Sequence, residues 1–238
     1  MKHNHFKKAF IVLSLTLILS TFLLTNCSNH QKQHDQNQNT AKQHSPASQQ
    51  RFSDIEKWLS IFEGDKRDKY QKPEVVVKSV NLKPGNVIAD IGAGTGYFTR
   101  RFAVAVAPNG KALGLDIEES MVKHMNEEAK KMGLNNYETR VVKKDDPELP
   151  VNSVDVIFLC NTYHHIENRV DYFRNVSKSL KNNGRIIIVD FYKNTDFGPP
   201  RDHKLTKEAV IKEMYLAGYS LLQDLKILPE QYYLEYGL

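Results

Sequence analysis

Apolar and polar positions divide the chain into three unlike stretches. Residues 9–24 form an uncharged, mostly apolar run, residues 28–50 are almost wholly polar, and periodic apolar positions begin at residue 51. Phe52, Ile55, Trp58, Leu59 and Phe62 recur at helical spacing, and a second apolar stretch, residues 75–80, precedes Lys83-Pro84-Gly85. Short β-branched runs then follow at residues 87–90, 111–116, 137–142, 154–160 and 185–190. Between them lie helical patterns. One places Met121, Met125, Ala129 and Met132 on a single face, with Gly133 positioned to end it. Another carries Val170, Phe173, Val176 and Leu180, with Gly184 shortly beyond, and a third runs from a Thr206 cap through Val210, Met214 and Ala217 to Gly218.

Strands that are apolar on both faces and alternate with helices predict a parallel sheet covered on both sides. The last two strand runs, 220–225 and 231–236, are separated by only five residues, one of them Pro229. A parallel crossover needs a dozen or more residues, so this pair must be antiparallel. The expectation is an α/β fold: a doubly wound, seven-stranded, mostly parallel sheet ending in a C-terminal antiparallel hairpin.

The first strand runs into Asp90-Ile91-Gly92-Ala93-Gly94-Thr95-Gly96. The first strand-to-helix turn is where a doubly wound sheet binds its ligand, and glycines there let backbone approach it closely. A dinucleotide fingerprint spaces its glycines G-x-G-x-x-G, whereas here the third falls one residue early. Charge agrees with spacing. A carboxylate at Asp90 repels a pyrophosphate but attracts the ammonium of S-adenosylmethionine (SAM), which carries no phosphate. Asp116 closes the second strand about 20 residues beyond the glycines, where a carboxylate can accept both ribose hydroxyls.

These residues resemble the class I SAM-dependent methyltransferases, and the likeness runs from about Val75 to Asp190. The resemblance implies SAM as cofactor, held by Asp90, Gly92, Ala93, Gly94, Gly96, Asp116, Ile117, Met121 and Asn161. It also implies that Asp145 reaches the adenine amino group, although Asp145 and the adjoining Asp146 read equally well as local caps. In this fold the segment after the fourth strand faces the transferred methyl, and here it reads Asn161-Thr162-Tyr163-His164-His165-Ile166. Enzymes acting on DNA-base amines or protein glutamine usually carry Asn/Asp-Pro-Pro-Tyr/Phe there. The Tyr-His-His-Ile version looks like the small-molecule branch, including enzymes of the quinone-pathway type. His164 or His165 is a candidate general base, because imidazole titrates near working pH; the alternative is that one packs under the next helix while the other lines the pocket. Tyr163, Arg201, His203 and Lys204 are expected on the acceptor side, although residues 197–205 read equally well as a surface connection.

Charge narrows the function classes. The chain has 238 residues and a formal net charge of +5, but residues 1–50 hold five lysines against Asp35 alone. The remaining residues carry a net of +1, which lacks the footprint that a phosphate backbone demands and argues against nucleic acid. His30, His34 and His44 have neither regular spacing nor accompanying cysteines, so no metal site is expected. Cys160 lies in an apolar run and reads as a core thiol rather than a disulfide partner of Cys27.

The amino-terminal residues look like an export signal: Lys2, Lys7 and Lys8, then 16 uncharged residues, then Leu24-Thr25-Asn26-Cys27. That run falls short of the ~20 residues that span a bilayer as a helix. Its end resembles a bacterial lipobox with Cys27 as the lipidated residue, although Asn26 stands where the pattern usually has Gly, Ala or Ser. An uncleaved membrane helix is the other reading, and both put the protein at a membrane. Residues 28–50 cannot bury enough apolar area to offset chain ordering; as a coil they reach roughly 25 Å. The expected organisation is thus a signal or anchor (1–27), a polar linker (28–50) and a SAM-dependent methyltransferase domain (51–238), with the protein lipid-anchored and exported. A catalytically silent SAM-binding module at the membrane is the alternative function.

If Cys27 is lipidated, palmitate supplied to a bacterial host labels the protein and Cys27→Ser abolishes the label. Membrane association that persists without label identifies the uncleaved helix instead.

Overall fold

In the computed structural model, residues 55–238 are described. The leader, the linker and the start of the first predicted helix, including Phe52 and Cys27, lie outside them. Three short helices come first: α1 (Ile55–Phe62), α2 (Asp65–Gln71) and α3 (Pro73–Val80). The Rossmann-type succession follows as β1 (Val87–Ile91), α4 (Thr99–Val106), β2 (Lys111–Asp116), α5 (Glu119–Met132), β3 (Tyr137–Val141), β4 (Val154–Cys160), α6 (Arg169–Val176) and β5 (Leu180–Phe191). Helix α7 (Lys207–Leu216) and strands β6 (Ser220–Leu225) and β7 (Gln231–Gly237) complete the chain.

The seven strands form one sheet in the order β3-β2-β1-β4-β5-β7-β6. The first five run parallel, whereas β7 lies antiparallel to both β5 and β6, as the short connection requires. Strand order reverses between β1 and β4, which opens a crevice at their carboxyl ends. Period-two alternation sorts the strand residues onto two faces. Ile157, Leu159, Ile186 and Ile188 face α6 and α7, while Val156, Phe158, Ile187 and Val189 face α3, α4 and α5. By the same alternation Asp90 continues the α3–α5 face and Asp190 the α6–α7 face.

Local signals explain most of the boundaries. Gly133 ends α5 in the left-handed conformation at φ 67°. The Thr206 hydroxyl accepts the Ala209 amide at 3.2 Å and caps α7. Two expectations need correcting. Met132 is 46 % exposed rather than on the buried face of α5: it is the last residue of the helix, directly before the Gly133 cap, and the buried face ends at Ala129. Leu180 begins β5 instead of extending α6, and Gly184 lies within that strand, where the pairing with β4 skips from Leu180 to Arg185. A single turn of 3₁₀ helix, Ser177–Ser179, makes the change of direction that the apolar spacing alone concealed.

Phe173 of α6 is fully buried, with its ring 5.2 Å from Tyr163 and 5.2 Å from Tyr172. Phe173→Ala is expected to cost about 3–5 kcal/mol and to lower the melting temperature by on the order of 10 °C in thermal unfolding. A loss below 1 kcal/mol contradicts this packing.

Candidate active site

The glycine turn lies at the end of β1, where close packing admits no side chain at Gly92 or Gly96. A Cβ at Gly92 would stand 2.4 Å from the Thr162 side chain, and one at Gly96 would stand 1.9 Å from the Tyr137 hydroxyl. Both residues also hold positive φ, 70° and 82°. The amides of Gly92 and Ala93 donate to the Leu115 carbonyl at 2.8 and 3.1 Å, which ties the turn to β2. The Gly94 amide donates to the Asp116 carboxylate at 2.7 Å, and the Glu118 amide donates to its other oxygen at 3.0 Å. Burial raises the Asp116 pKa while these amide bonds oppose the rise. Each carboxylate oxygen keeps a further lone pair, as the acceptor of two vicinal hydroxyls requires.

Asp90 is 3 % exposed and accepts a 2.6 Å hydrogen bond from the Thr99 hydroxyl. Burial pushes its pKa up to about 7. A buried carboxylate so poorly solvated gains most from an incoming cation and is hostile to a phosphate. Asp90 and Asp116 thus fit the ammonium and ribose of SAM.

Helices α1 and α2 cover this turn. Glu63 accepts hydrogen bonds from the Thr95 hydroxyl and the Arg100 guanidinium, and Asp68 accepts one from the Tyr97 hydroxyl. A Cβ on Gly94 would meet the Phe62 ring at 3.7 Å. Glu63, Arg67, Asp68 and Gln71 went unrecognised in the sequence, because they fall in a polar stretch between two apolar runs and match no spaced motif.

At the acceptor end, the loop after β4 carries His164 back onto β5. Its Nδ1 lies 2.8 Å from the Asp190 carboxylate, and both side chains are 3 % exposed. Asp190 also accepts the Phe191 amide at 2.8 Å, so the carboxylate is held from two sides. The Nε2 of His164 is buried and without a hydrogen-bond partner. His165 keeps an exposed edge, with its ring 4.1 Å from that of His164; desolvation, with His164 adding to it, lowers its pKa to about 4. Asp190 had the same signature as Asp90 and Asp116, an acid closing an apolar strand, but it matched no motif and was passed over.

The other expected site residues are distributed as follows. Met121 is buried, at 1 % exposure, while Ile117 is exposed. Asn161 is held at φ 57°, and its side-chain oxygen accepts Gln231 Nε2 at 2.5 Å; Gln231 in turn accepts Gln71 Nε2 at 2.7 Å. Asp145 is exposed on the loop after β3, and the adjoining Asp146 caps the Glu148 amide at 2.8 Å. Tyr163 does not line the acceptor side. Its ring stacks on Phe173 in the α6–α7 core and its hydroxyl donates to Glu213 at 2.9 Å, because the 3₁₀ turn Tyr163–His165 rotates successive residues by about 120° and so separates Tyr163 from its neighbours. Arg201 and His203 are exposed on a further 3₁₀ turn, with Arg201 3.5 Å from Asp196, whereas Lys204 is buried and donates to the Thr195 carbonyl at 2.7 Å. Cys160 is free and buried, and burial pushes its pKa up to about 12.

Residues 82–227 match the methyltransferase domain family. The chain is 30 % identical over 145 residues to the ubiquinone/menaquinone biosynthesis C-methyltransferase UbiE of Ectopseudomonas mendocina, covering 60 % of this chain and 55 % of that protein. It is 32 % identical over 123 residues to phosphoethanolamine N-methyltransferase 1 of Arabidopsis thaliana, covering 50 % of this chain and 23 % of the plant protein. The chain thus spans about half the length, or less, of these relatives. In fold it resembles a SAM-dependent methyltransferase from Aquifex aeolicus, with a TM-score of 0.70 at 24 % identity over 76 % of this chain and 96 % of the other. The chain belongs to the methyltransferase domain family, its domain is of the SAM-dependent type, and SAM is its cofactor.

The raised pKa of Asp90 gives this site a pH dependence of known sign. Because Asp90 titrates higher in the fold than in the unfolded chain, its contribution to stability falls as pH rises from about 4 to about 7. Asp90→Asn is expected to stabilise the ligand-free protein at pH 8 by on the order of 1–3 kcal/mol, with a smaller gain at pH 5. S-adenosylhomocysteine affinity of the wild type should rise about 10-fold from pH 6 to pH 8 as the carboxylate ionises, and the variant should bind weakly without that slope. Calorimetry showing a flat wild-type profile contradicts the assignment of the ammonium to Asp90.

Proposed function

We propose that this protein methylates a small molecule with an ionisable acceptor group, a phenolic or quinol-type ring fitting best, and that His164 is its general base. The observation that carries this reading is the buried pair of His164 and Asp190. With Asp190 accepting from Nδ1–H, the proton-free nitrogen is Nε2, the buried one left without a partner. When bound, SAM supplies a methyl group already activated on a positively charged sulfur. The chain then has to position, desolvate and deprotonate the acceptor. His164 takes the acceptor proton as the acceptor atom bonds to the methyl carbon and the carbon–sulfur bond breaks. Asp190 stabilises the imidazolium so formed.

An aromatic wall near this end favours a planar acceptor: Tyr70 lies 5.8 Å from Phe191 and 5.5 Å from Phe197, centroid to centroid. The printed name of the bacterial relative, a quinone-pathway C-methyltransferase, is consistent with that chemistry. The near-neutral domain and the absence of an Asn/Asp-Pro-Pro segment after β4 speak against nucleic-acid and protein acceptors. The intact glycine turn and the His164–Asp190 pair favour turnover over a silent binding module. None of the described helices is long and apolar enough to cross a membrane, so the proposed membrane location, as a lipid-anchored exported protein, rests on residues 1–27.

Labelled SAM offered with quinol, phenolic and amine acceptors tests the reading. On the acceptor that turns over, His164→Ala is expected to lower kcat about 10²–10⁴-fold, remove the lower limb of the pH–rate profile, and leave S-adenosylhomocysteine affinity within about threefold. Asp190→Asn should lower kcat by about 10–10³-fold and shift the same limb. If both variants keep more than half the wild-type rate, His164 is not the base.

A further inference from the structure

Three side-chain amides run in a row from the cover of the cleft to the end of β4. Gln71 of α2 and Gln231 of β7 are both fully buried, whereas Asn161, directly after β4, is partly exposed. Gln71 Nε2 donates to Gln231 Oε1 at 2.7 Å, and Gln231 Nε2 donates to Asn161 Oδ1 at 2.5 Å. All three amides point the same way, each nitrogen toward the next oxygen. The row starts from a buried oxygen without a partner, Gln71 Oε1, and ends in Asn161 Nδ2, which has no hydrogen-bond partner among the described residues and is not buried.

That direction has a physical reason. Turning the whole row over would bury the two N–H groups of Gln71 in place of one oxygen, and an orphaned buried donor is the costlier of the two. Turning over one amide alone would set oxygen against oxygen or nitrogen against nitrogen. Asn161 is also fixed in its backbone, with φ 57° and its amide donating to the Val189 carbonyl at 2.9 Å. Its neighbour Thr162 packs on Gly92 across the crevice, and His164 lies three residues further along the same loop.

Asn161 can therefore offer this end of the crevice a donor and no acceptor, because Gln231 occupies its oxygen. Aligned amides polarise one another and strengthen that last donor. An oxygen that gives up its proton gains negative charge and is stabilised by an N–H, whereas an amine brings N–H groups of its own and asks for an oxygen. We propose that Gln231, oriented by Gln71, is a positioning residue that makes Asn161 Nδ2 a hydrogen-bond donor to the acceptor's oxygen anion, and so selects phenolate-type acceptors over amines. The inference rests on the phenolic reading above and deepens it.

4-Nitrophenol and its neutral methyl ether, 4-nitroanisole, isolate the contact without turnover. Binding of each to the full chain loaded with S-adenosylhomocysteine is measured by calorimetry at a pH where the phenol is ionised. The wild type is expected to prefer the phenolate by about 10–100-fold. Asn161→Ala and Gln231→Glu should each cut that preference to about threefold or less, the second because a carboxylate cannot donate and turns the Asn161 amide over. Gln231→Met, which adds no charge, should cut it in part, and both Gln231 variants should keep S-adenosylhomocysteine affinity within about threefold. In a His164→Ala background the effect of Gln231→Glu should persist, which separates the amide from the imidazole. Gln231 variants that retain the preference overturn the proposal, as do variants that lose both ligands equally, the result of a structural brace. A wild type that binds both ligands alike also overturns it. A wild type that holds S-adenosylhomocysteine but binds neither ligand refutes the phenolic reading itself, a failure distinct from the others.

Discussion

The 2.7 Å hydrogen bond from the Gly94 amide to the Asp116 carboxylate fixes the geometry on which the cleft depends. It joins the turn after β1 to the end of β2, two strands that pair in register from Val87 with Lys111 to Ile91 with Leu115. Once that turn is pinned, its glycines must accept the close approach of Thr162 from the far side of the crevice and of Tyr137 from beneath. The same carboxylate that organises the backbone is the one expected to hold the ribose.

Three acids close three strands, and environment separates their roles. Asp116 is stabilised by backbone amides, Asp90 by one hydroxyl in a dry setting that favours an added cation, and Asp190 by an imidazole and an amide. The sheet's alternation sends Asp90 to one face and Asp190 to the other. Helices α1 and α2 close the cofactor side through Glu63, Asp68 and Phe62. The Gln71–Gln231–Asn161 chain ties that cover to β7 and to the end of β4. Through this chain the late hairpin, remote from the glycine turn in sequence, helps position the loop that carries His164.

Much of this was legible in the sequence where one force dominates. The runs of β1, β4 and β5 are set by burial on both faces of a parallel sheet, and all seven predicted strands appear within a few residues of their expected ends, β5 excepted. The antiparallel hairpin followed from chain length alone, and the glycine turn from sterics. What escaped were features that depend on tertiary placement. Nothing local distinguishes Tyr163, which turned into the α6–α7 core, from His164, which packs against Asp190; the 3₁₀ turn decides it. Asp190 looked like any strand-ending acid until His164 was brought beside it. Asp68 and Glu63 sit in a polar stretch whose period carries no signal, and only packing over the turn gives them a role.

The central claim is that the glycine turn with Asp116 forms a SAM site and not a dinucleotide site. Isothermal titration of the protein with S-adenosylhomocysteine and with NAD tests it most directly, using Asp116→Ala as the control. The account predicts binding of S-adenosylhomocysteine that weakens about 10²–10³-fold in the variant, from the loss of two charge-assisted hydrogen bonds partly replaced by water, and no comparable binding of NAD. Tight NAD binding, or no affinity of the wild type for S-adenosylhomocysteine, contradicts it.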